Sequence, residues 1–206
     1  LEFYEALKIL AEKAGVELRH ISPAEQKEFG ILYDLNALAK DFFKNELKNS
    51  KPALDYLKQR GLKPETIEEF ELGWAPGGES LTIHLINLGH DINDISRAGL
   101  SLKTESGVFR DRFHQRIIFP IFNHYGKPVG FTGRLLPSAE NTPAPKYLNS
   151  PETQIFNKSR LLYGLHKSKS EISRSREAFL VEGQMDFLMV WQTGFKNLAA
   201  ASGTAL

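Results

Sequence analysis

Cysteine is absent from the 206 residues. That excludes disulfides and thiolate metal sites within the chain and accords with a reducing compartment. The six histidines (His20, His84, His90, His114, His124 and His166) are scattered without the spacing of a ligand set, so a histidine metal site is not expected. No apolar run approaches the roughly 20 residues of a membrane-spanning helix. Nothing at the start reads as a cleavable leader; Leu1 opens an amphipathic helix carrying Glu2, Glu5 and Glu12. No Gly-Lys-Ser/Thr completes a Walker loop and no Gly-x-Ser-x-Gly forms a nucleophile elbow. Internal repeats and low-complexity segments are also missing. What remains is a chain long enough for one large or two small domains around a real core.

The net charge of +1 conceals an asymmetry. Residues 1–109 sum to −5, residues 110–176 to +8 and residues 177–206 to −2. A basic middle third suits phosphate-rich partners through counterion release, although a solvated basic face gives the same composition.

Leu1 to about Arg19 is expected to be helical, with Phe3, Leu7, Leu10 and Ala14 in one stripe. Ser22-Pro23-Ala-Glu25 is a helix start, and the apolar positions from Phe29 to Phe43 carry that helix to about Leu47. Lys51-Pro52 opens a short helix closed by Gly61, and Lys63-Pro64 opens another through Phe70. Gly73 to Gly78 is expected as a loop, followed by short helices near 79–88 and 92–98. The pattern then changes. Arg116–Phe122 and Lys127–Leu135, around Asn123–Gly126, predict a β-hairpin, with Pro120 marking an edge or a bulge. Ser138 to Pro145 is a loop, Lys146–Asn149 an extended piece, Ser150–Thr153 a capped turn, and Lys167–Arg176 a helix or linker. The chain closes on a buried strand, a helix and a second strand running into Ser202-Gly203-Thr204. The fold class expected is α/β.

Two constellations carry chemistry. Glu182 stands at the carboxyl end of the first of those strands, where α/β sheets build sites, and Asp186 follows one helical turn later on the same face. Gly183 removes a side chain from the turn between them. Two hard oxygen donors suit Mg²⁺ or Mn²⁺, which would retain several waters. An ordinary strand–helix junction would also produce Val-Glu-Gly. The second constellation is basic: Arg110, Arg112, Arg116, Arg134, Lys146, Lys158 and Arg160, interleaved with Phe131, Tyr147 and Phe156. Cations for phosphates and rings for bases equip a single-strand groove. Phe131 is read as core, and Lys146-Tyr147, in a loop between Pro145 and Asn149, as functional.

Several strings, in order, resemble the bacterial DnaG-type DNA primases. They are Tyr56-Leu…Arg60-Gly61, Phe70…Gly73…Ala75-Pro76, Asp111-Arg-Phe113…Arg116-Ile-Ile-Phe-Pro-Ile, Gly130-Phe-Thr-Gly-Arg134, Pro145-Lys-Tyr-Leu-Asn-Ser-Pro-Glu-Thr153, Phe156-Asn-Lys158, Leu162-Tyr-Gly164 and Val181-Glu-Gly-Gln-Met-Asp186. The similarity covers nearly the whole chain. The last element is shared with the wider toprim group, which includes topoisomerases.

The resemblance implies an α+β amino-terminal subdomain followed by the first part of a toprim, Rossmann-like sheet. Residues 1–20 would be a helical linker from an upstream zinc module. Residues 21–170 would form the amino-terminal subdomain of the catalytic core, helical over 21–105 and mixed β over 106–170. Residues 171–206 would be the first half of the toprim subdomain. It further implies synthesis of short RNA primers on single-stranded DNA from ribonucleoside triphosphates, in the cytoplasm at the nucleoid. Glu182 would be catalytic and hold metal, supported by Asp186. Arg60, Arg134, Lys146, Tyr147, Asn149 and Lys158 would bind template, with Arg112 and Arg116 lining the same groove. Zn²⁺ would belong only to the upstream module, the remaining metal ligands would follow Leu206, and a replicative helicase would dock on a further carboxyl-terminal domain. This segment alone would then be inactive. His114 stands where some relatives carry arginine. Alternatives are the primase part of a primase–helicase, or a single-strand-binding module with an incomplete toprim fold.

Overall fold

The computed structural model describes residues 10–15, 22–137 and 143–201. The chain divides into two compact units, Leu1–Gly30 and Ile31–Leu206. In the first, residues 10–14 are helical, inside the helix expected there; the rest of that expectation lies outside the described residues. Ser22 and Glu25 form the reciprocal pair of a capping box. The Ser22 hydroxyl accepts the Glu25 N–H at 3.3 Å, and the Glu25 carboxylate accepts the Ser22 N–H at 2.9 Å. Helix α1 (Pro23–Asn49) starts there and continues into the second unit.

Four short helices follow α1 in the second unit: α2 (Lys51–Gln59), α3 (Pro64–Glu69), α4 (Ser80–Asn87) and α5 (Ile92–Arg97). Proline sits in the first turn of α2 and of α3, where its missing N–H costs nothing. The strands, numbered along the chain, are β1 (Gly73–Ala75), β2 (Ser101–Lys103), β3 (Phe109–Asp111), β4 (Arg116–Phe122), β5 (Pro128–Leu135) and β6 (Tyr147–Asn149). An antiparallel sheet runs β1-β4-β5-β6, and β2 pairs with β3 separately.

The β4–β5 hairpin forms as its alternation predicts. Pro120 lies two residues beyond Ile118, the last β4 residue paired with β1, and just before the register shift at Ile121/Phe122. Its missing donor therefore falls where the ladder is already one-sided. Gly73–Ala75 is a correction: the expected loop is a strand. Three buried residues are too few for an alternation signal. The glycine that suggests a turn is there because a Cβ on Gly73 would come within 2.5 Å of the Phe43 Cβ. The β2–β3 pair is equally short; β2 lies in the part expected to be helical and β3 in the part expected to be mixed β.

Alternation decides what each face of the sheet meets. Ile117 and Phe119 join a core with Phe70, Phe187, Leu188 and Trp191. Ile118 and Phe131 join one with Leu35, Phe43, Leu81 and Phe113. Phe43 sits edge-on to both Phe113 and Phe131, with ring centroids 6.3 and 5.5 Å away. Burying such a side chain contributes roughly 1.5–3 kcal/mol. Trp74, Trp191, Phe131 and Phe156 are all core residues.

The carboxyl-terminal part contains β7 (Leu162–Tyr163), α6 (Leu165–Ser175), β8 (Phe179–Val181), α7 (Gln184–Trp191) and β9 (Leu198–Ala201). Its sheet order is β7-β9-β8, with β8 parallel and β7 antiparallel to β9. β8–α7–β9 is thus the expected βαβ crossover. One correction concerns burial: among the described residues β8 is an edge strand, with Phe179 50% exposed. The Ser202–Thr204 turn lies outside the described residues. The whole is a mixed helix-and-sheet, α/β chain, and among its described residues no helix is long and apolar enough to cross a membrane.

Candidate active site

β8 delivers Glu182 to its carboxyl end, and Gly183 starts α7 in extended backbone, at φ −135°. Asp186 lies in the first turn of that helix, where the macrodipole favours a carboxylate. Both acids are exposed. One Asp186 oxygen lies 3.3 Å from where a Cβ on Gly183 would stand, so the missing side chain is what lets that carboxylate fold over the turn. Glu182 and Asp186 line a cleft of about 300 Å³ with Gly183, Gln184, Thr132, Tyr147 and Asn149.

The far wall belongs to β5 and β6. Arg134 and Tyr147 are register partners, as are Thr132 and Asn149, so all four side chains share a face. Arg134 is only 6% exposed. Its guanidinium donates to the Tyr147 hydroxyl and lies 5.2 Å from the centroid of the Tyr147 ring and 5.5 Å from that of Tyr56. Such a cation between two rings keeps its charge near the surface without a carboxylate. Tyr147 is 42% exposed beside it, and Lys146 is exposed. Arg60 follows Tyr56 by one helical turn at the end of α2.

A buried chain of hydrogen bonds joins the two walls. The Gln184 side-chain amide donates to the Thr132 hydroxyl at 3.0 Å, and Thr132 donates to Asn149 Oδ1 at 2.7 Å. Outside the cleft, Gln192 accepts the Lys63 N–H at 3.1 Å and donates to the Gly61 carbonyl at 2.8 Å. Trp191 Nε1 donates to Glu69 at 3.0 Å. These bonds hold α7 against α2 and α3, and so fix Glu182 relative to Arg60.

Arg112 and Arg116 stand elsewhere. Cross-strand partners share a face, and Arg116 pairs with Leu135, one residue from Arg134 and therefore on the opposite face. Grouping Arg116 with Arg134 from sequence order alone is corrected by this alternation. Arg116, 3% exposed, donates to the carbonyls of Gly133, Lys146 and Pro145 at 3.1, 3.3 and 2.7 Å. Arg112 donates twice to the Asn149 carbonyl, at 3.1 and 2.9 Å. Both hold β6 in place. Burial lowers the pKa of each guanidinium. Lys158 opens a 3₁₀ turn (Lys158–Arg160) outside the cleft lining, its N–H bonded to Glu152 at 2.8 Å.

Thr132, Gln184 and Tyr56 were not singled out from the sequence, although all three lie within or beside the strings quoted above. Asp111 is a structural acid. It accepts from the N–H groups of Leu81 and Thr82 at 2.9 and 2.8 Å and caps α4 from a distant strand.

A metal fits Glu182 and Asp186 in part. Two exposed carboxylates on one cleft are hard donors of the kind Mg²⁺ takes while keeping its waters. Among the described residues no third acid, histidine or cysteine joins them.

Residues 42–169 match the family model described as DNA primase catalytic core, N-terminal domain. A DNA primase of Deinococcus radiodurans is 43% identical over 208 residues, covering 100% of this chain. The chain spans about a third of that relative's length, 35%. The RNA polymerase domain of Mycobacterium tuberculosis primase DnaG, in complex with a double-stranded DNA oligomer with a 6-nucleotide overhang, superposes with a TM-score of 0.80 at 34% identity. That match covers 86% of this chain and 56% of the other. A DnaG primase catalytic domain bound to ssDNA matches at TM-score 0.76 and 34% identity, over 87% of this chain and 57% of its own.

Proposed function

The chain belongs to the family of DNA primase catalytic cores, N-terminal domain, and from that premise we propose that it is part of a primase that synthesises short RNA primers on single-stranded DNA. The observation that carries this is one cleft. It sets the exposed acids Glu182 and Asp186 opposite the Tyr147–Asn149 strand, beside the Arg134 stack.

The division of labour follows from the two walls. On one, Tyr147 offers a ring to a template base, while Arg134, Lys146 and Arg60 supply positive charge for backbone phosphates. Lys158 extends that charge along the strand's path. Asn149 is held by Thr132 and Arg112 and presents the edge of β6. On the other wall, Glu182 would hold a hydrated Mg²⁺ or Mn²⁺ with ligands contributed from beyond Leu206, and Asp186 would orient its waters. Such an ion stabilises the attacking and leaving oxygens of nucleotidyl transfer. The Gln184–Thr132–Asn149 chain fixes the distance between template wall and acid wall, so that a base pair forming on one meets the phosphates held by the other.

In this reading residues 21–170 are the amino-terminal subdomain of the core and residues 171–206 begin a toprim sheet, with residues 1–20 linking to a zinc-binding module. Ribonucleoside triphosphates are substrates, the replicative helicase is a partner through another domain, and the protein works in the cytoplasm. The test is Glu182→Gln in the full-length parent protein, assayed for primer synthesis with Mg²⁺ and for binding to single-stranded DNA. Synthesis falls at least about 100-fold, while DNA affinity is unchanged. Retained synthesis would remove Glu182 from the chemistry.

A further inference from the structure

The face of the sheet opposite the acid cleft carries a second cavity, of about 420 Å³. Arg112, His114 and Arg116 line it, with Gly77 and Gly78 on one side and the apolar Leu135 and Leu148 on another. Leu135 and Leu148 alternate with Arg134 and Tyr147, which is why this cavity and the cleft lie on opposite faces.

Its charge is unbalanced. Among the described residues the Arg112 and Arg116 guanidiniums meet only carbonyl oxygens, and burial lowers the pKa of each. The nearest acid in sequence, Asp111, is committed to the start of α4, where the Thr82 hydroxyl also donates to it at 2.6 Å. Carbonyls satisfy donors but leave the charge of a buried cation uncompensated, which is costly. Each guanidinium has N–H groups beyond those its carbonyls use. His114 adds a donor. Its Nδ1 accepts the Gly78 N–H at 3.1 Å, which leaves the ring proton on Nε2. The Gly77–Gly78 backbone has φ of 111° and 73°, so no side chain covers this wall.

We propose that this back-face cavity binds the phosphate of a free nucleotide, separately from the acid cleft. Arg112 and Arg116 would grip the phosphate, since planar guanidinium forks match its oxygens. The base would lie on Leu135 and Leu148. The volume suits one nucleotide and not a strand. Because both arginines also hold β6, occupancy would be felt at Tyr147 and Asn149 on the other face, and so at the template wall.

The experiment is an amide NMR titration of this chain with ATP in EDTA, which removes metal-dependent binding at the acid cleft. The Gly77 and Gly78 amides and the His114 ring shift and saturate. Arg112→Gln raises the dissociation constant at least about 10-fold. Arg112→Gln also loosens β6, so Ala144→Trp is the independent arm: it blocks the cavity from an exposed position, leaves both arginines intact and weakens ATP to a similar degree. Shifts confined to Gly183, Asp186 and Tyr147 would overturn the proposal, as would ATP affinity indifferent to Ala144→Trp. A thymidine oligonucleotide that moves Gly77 and Gly78 when ATP does not would assign the phosphate to nucleic acid and overturn the free-nucleotide site.

Discussion

Arg134 and Tyr147 form one stacked unit across β5 and β6: the guanidinium lies over the ring and donates to its hydroxyl. A base laid on Tyr147 therefore meets a ring already held in place. Tyr147→Ala is expected to weaken single-stranded DNA binding by about 1–3 kcal/mol, the worth of one base stack. Tyr147→Phe, which keeps the ring and loses only the acceptor, should stay within about threefold of the parent. Fluorescence anisotropy with a labelled oligonucleotide separates the two. A Phe variant as weak as Ala would show that stacking is not the source of affinity.

Lys146→Ala should weaken the same binding and flatten its salt dependence, lowering the slope of log K against log salt by about 0.7. Arg134→Ala should do both and also lower the melting temperature, because it leaves Tyr56 and Tyr147 without the cation between them. Titrations at several salt concentrations check this. Unchanged slopes in both variants would make these cations ordinary surface.

Gly164 begins α6 at φ 81°, and a Cβ there would stand 2.1 Å from the Phe187 ring. Gly164→Ala is expected to cost more than about 3 kcal/mol, since it adds backbone strain to a clash inside a packed aromatic cluster. Urea denaturation measures it. A loss below 1 kcal/mol, on the order of a surface change, would show that the core relaxes freely.

The His166 ring lies against Phe122, tilted at 37° with ring centroids 4.5 Å apart, and its Nδ1 is buried without a partner among the described residues. Burial, then the charges of Lys167 and Lys169, lowers its pKa to about 4. The unfolded value is about 6.5, so the unfolded chain binds the extra proton between these limits. Stability from this group is full above about pH 6.5 and declines as pH falls towards 4. The loss is on the order of 1–2 kcal/mol after solvent screening. Denaturation at pH 7 and 5 should show this slope in the parent and not in His166→Phe. An equal slope in both would assign it to other groups.

Gln184→Ala removes the bond to Thr132 and leaves a buried hydroxyl with one partner fewer. About 1–2 kcal/mol of stability should be lost. Crystallography should show the Glu182 wall displaced from β6, whereas an unmoved wall would confine Gln184 to stability.

Much of this was legible in the chain. The capping box at Ser22, the proline starts of α2 and α3, the β4–β5 hairpin and the βαβ crossover are local patterns of short period, and each formed where its pattern lies. Glu182 and Asp186 line one cleft, as their spacing suggested, although Glu182 precedes the helix and the two meet because the end of β8 and the first turn of α7 adjoin. β1 and β2 were not legible, since three residues hold less than two periods of alternation and β1 also depends on a distant partner; β6 and β8, equally short, were read from the strings around them.

The sequence by itself determined the longer helices, the β4–β5 hairpin and the βαβ crossover, the family and the types of residue available to the site. Only the tertiary structure decided which cations serve which face. Arg116 and Arg134 belong to one basic stretch, yet the two-residue period of a strand sends them to opposite sides of the sheet. Nor does order along the chain show that Gln184, Thr132 and Asn149 meet, because that contact exists only once the βαβ unit packs against the antiparallel sheet.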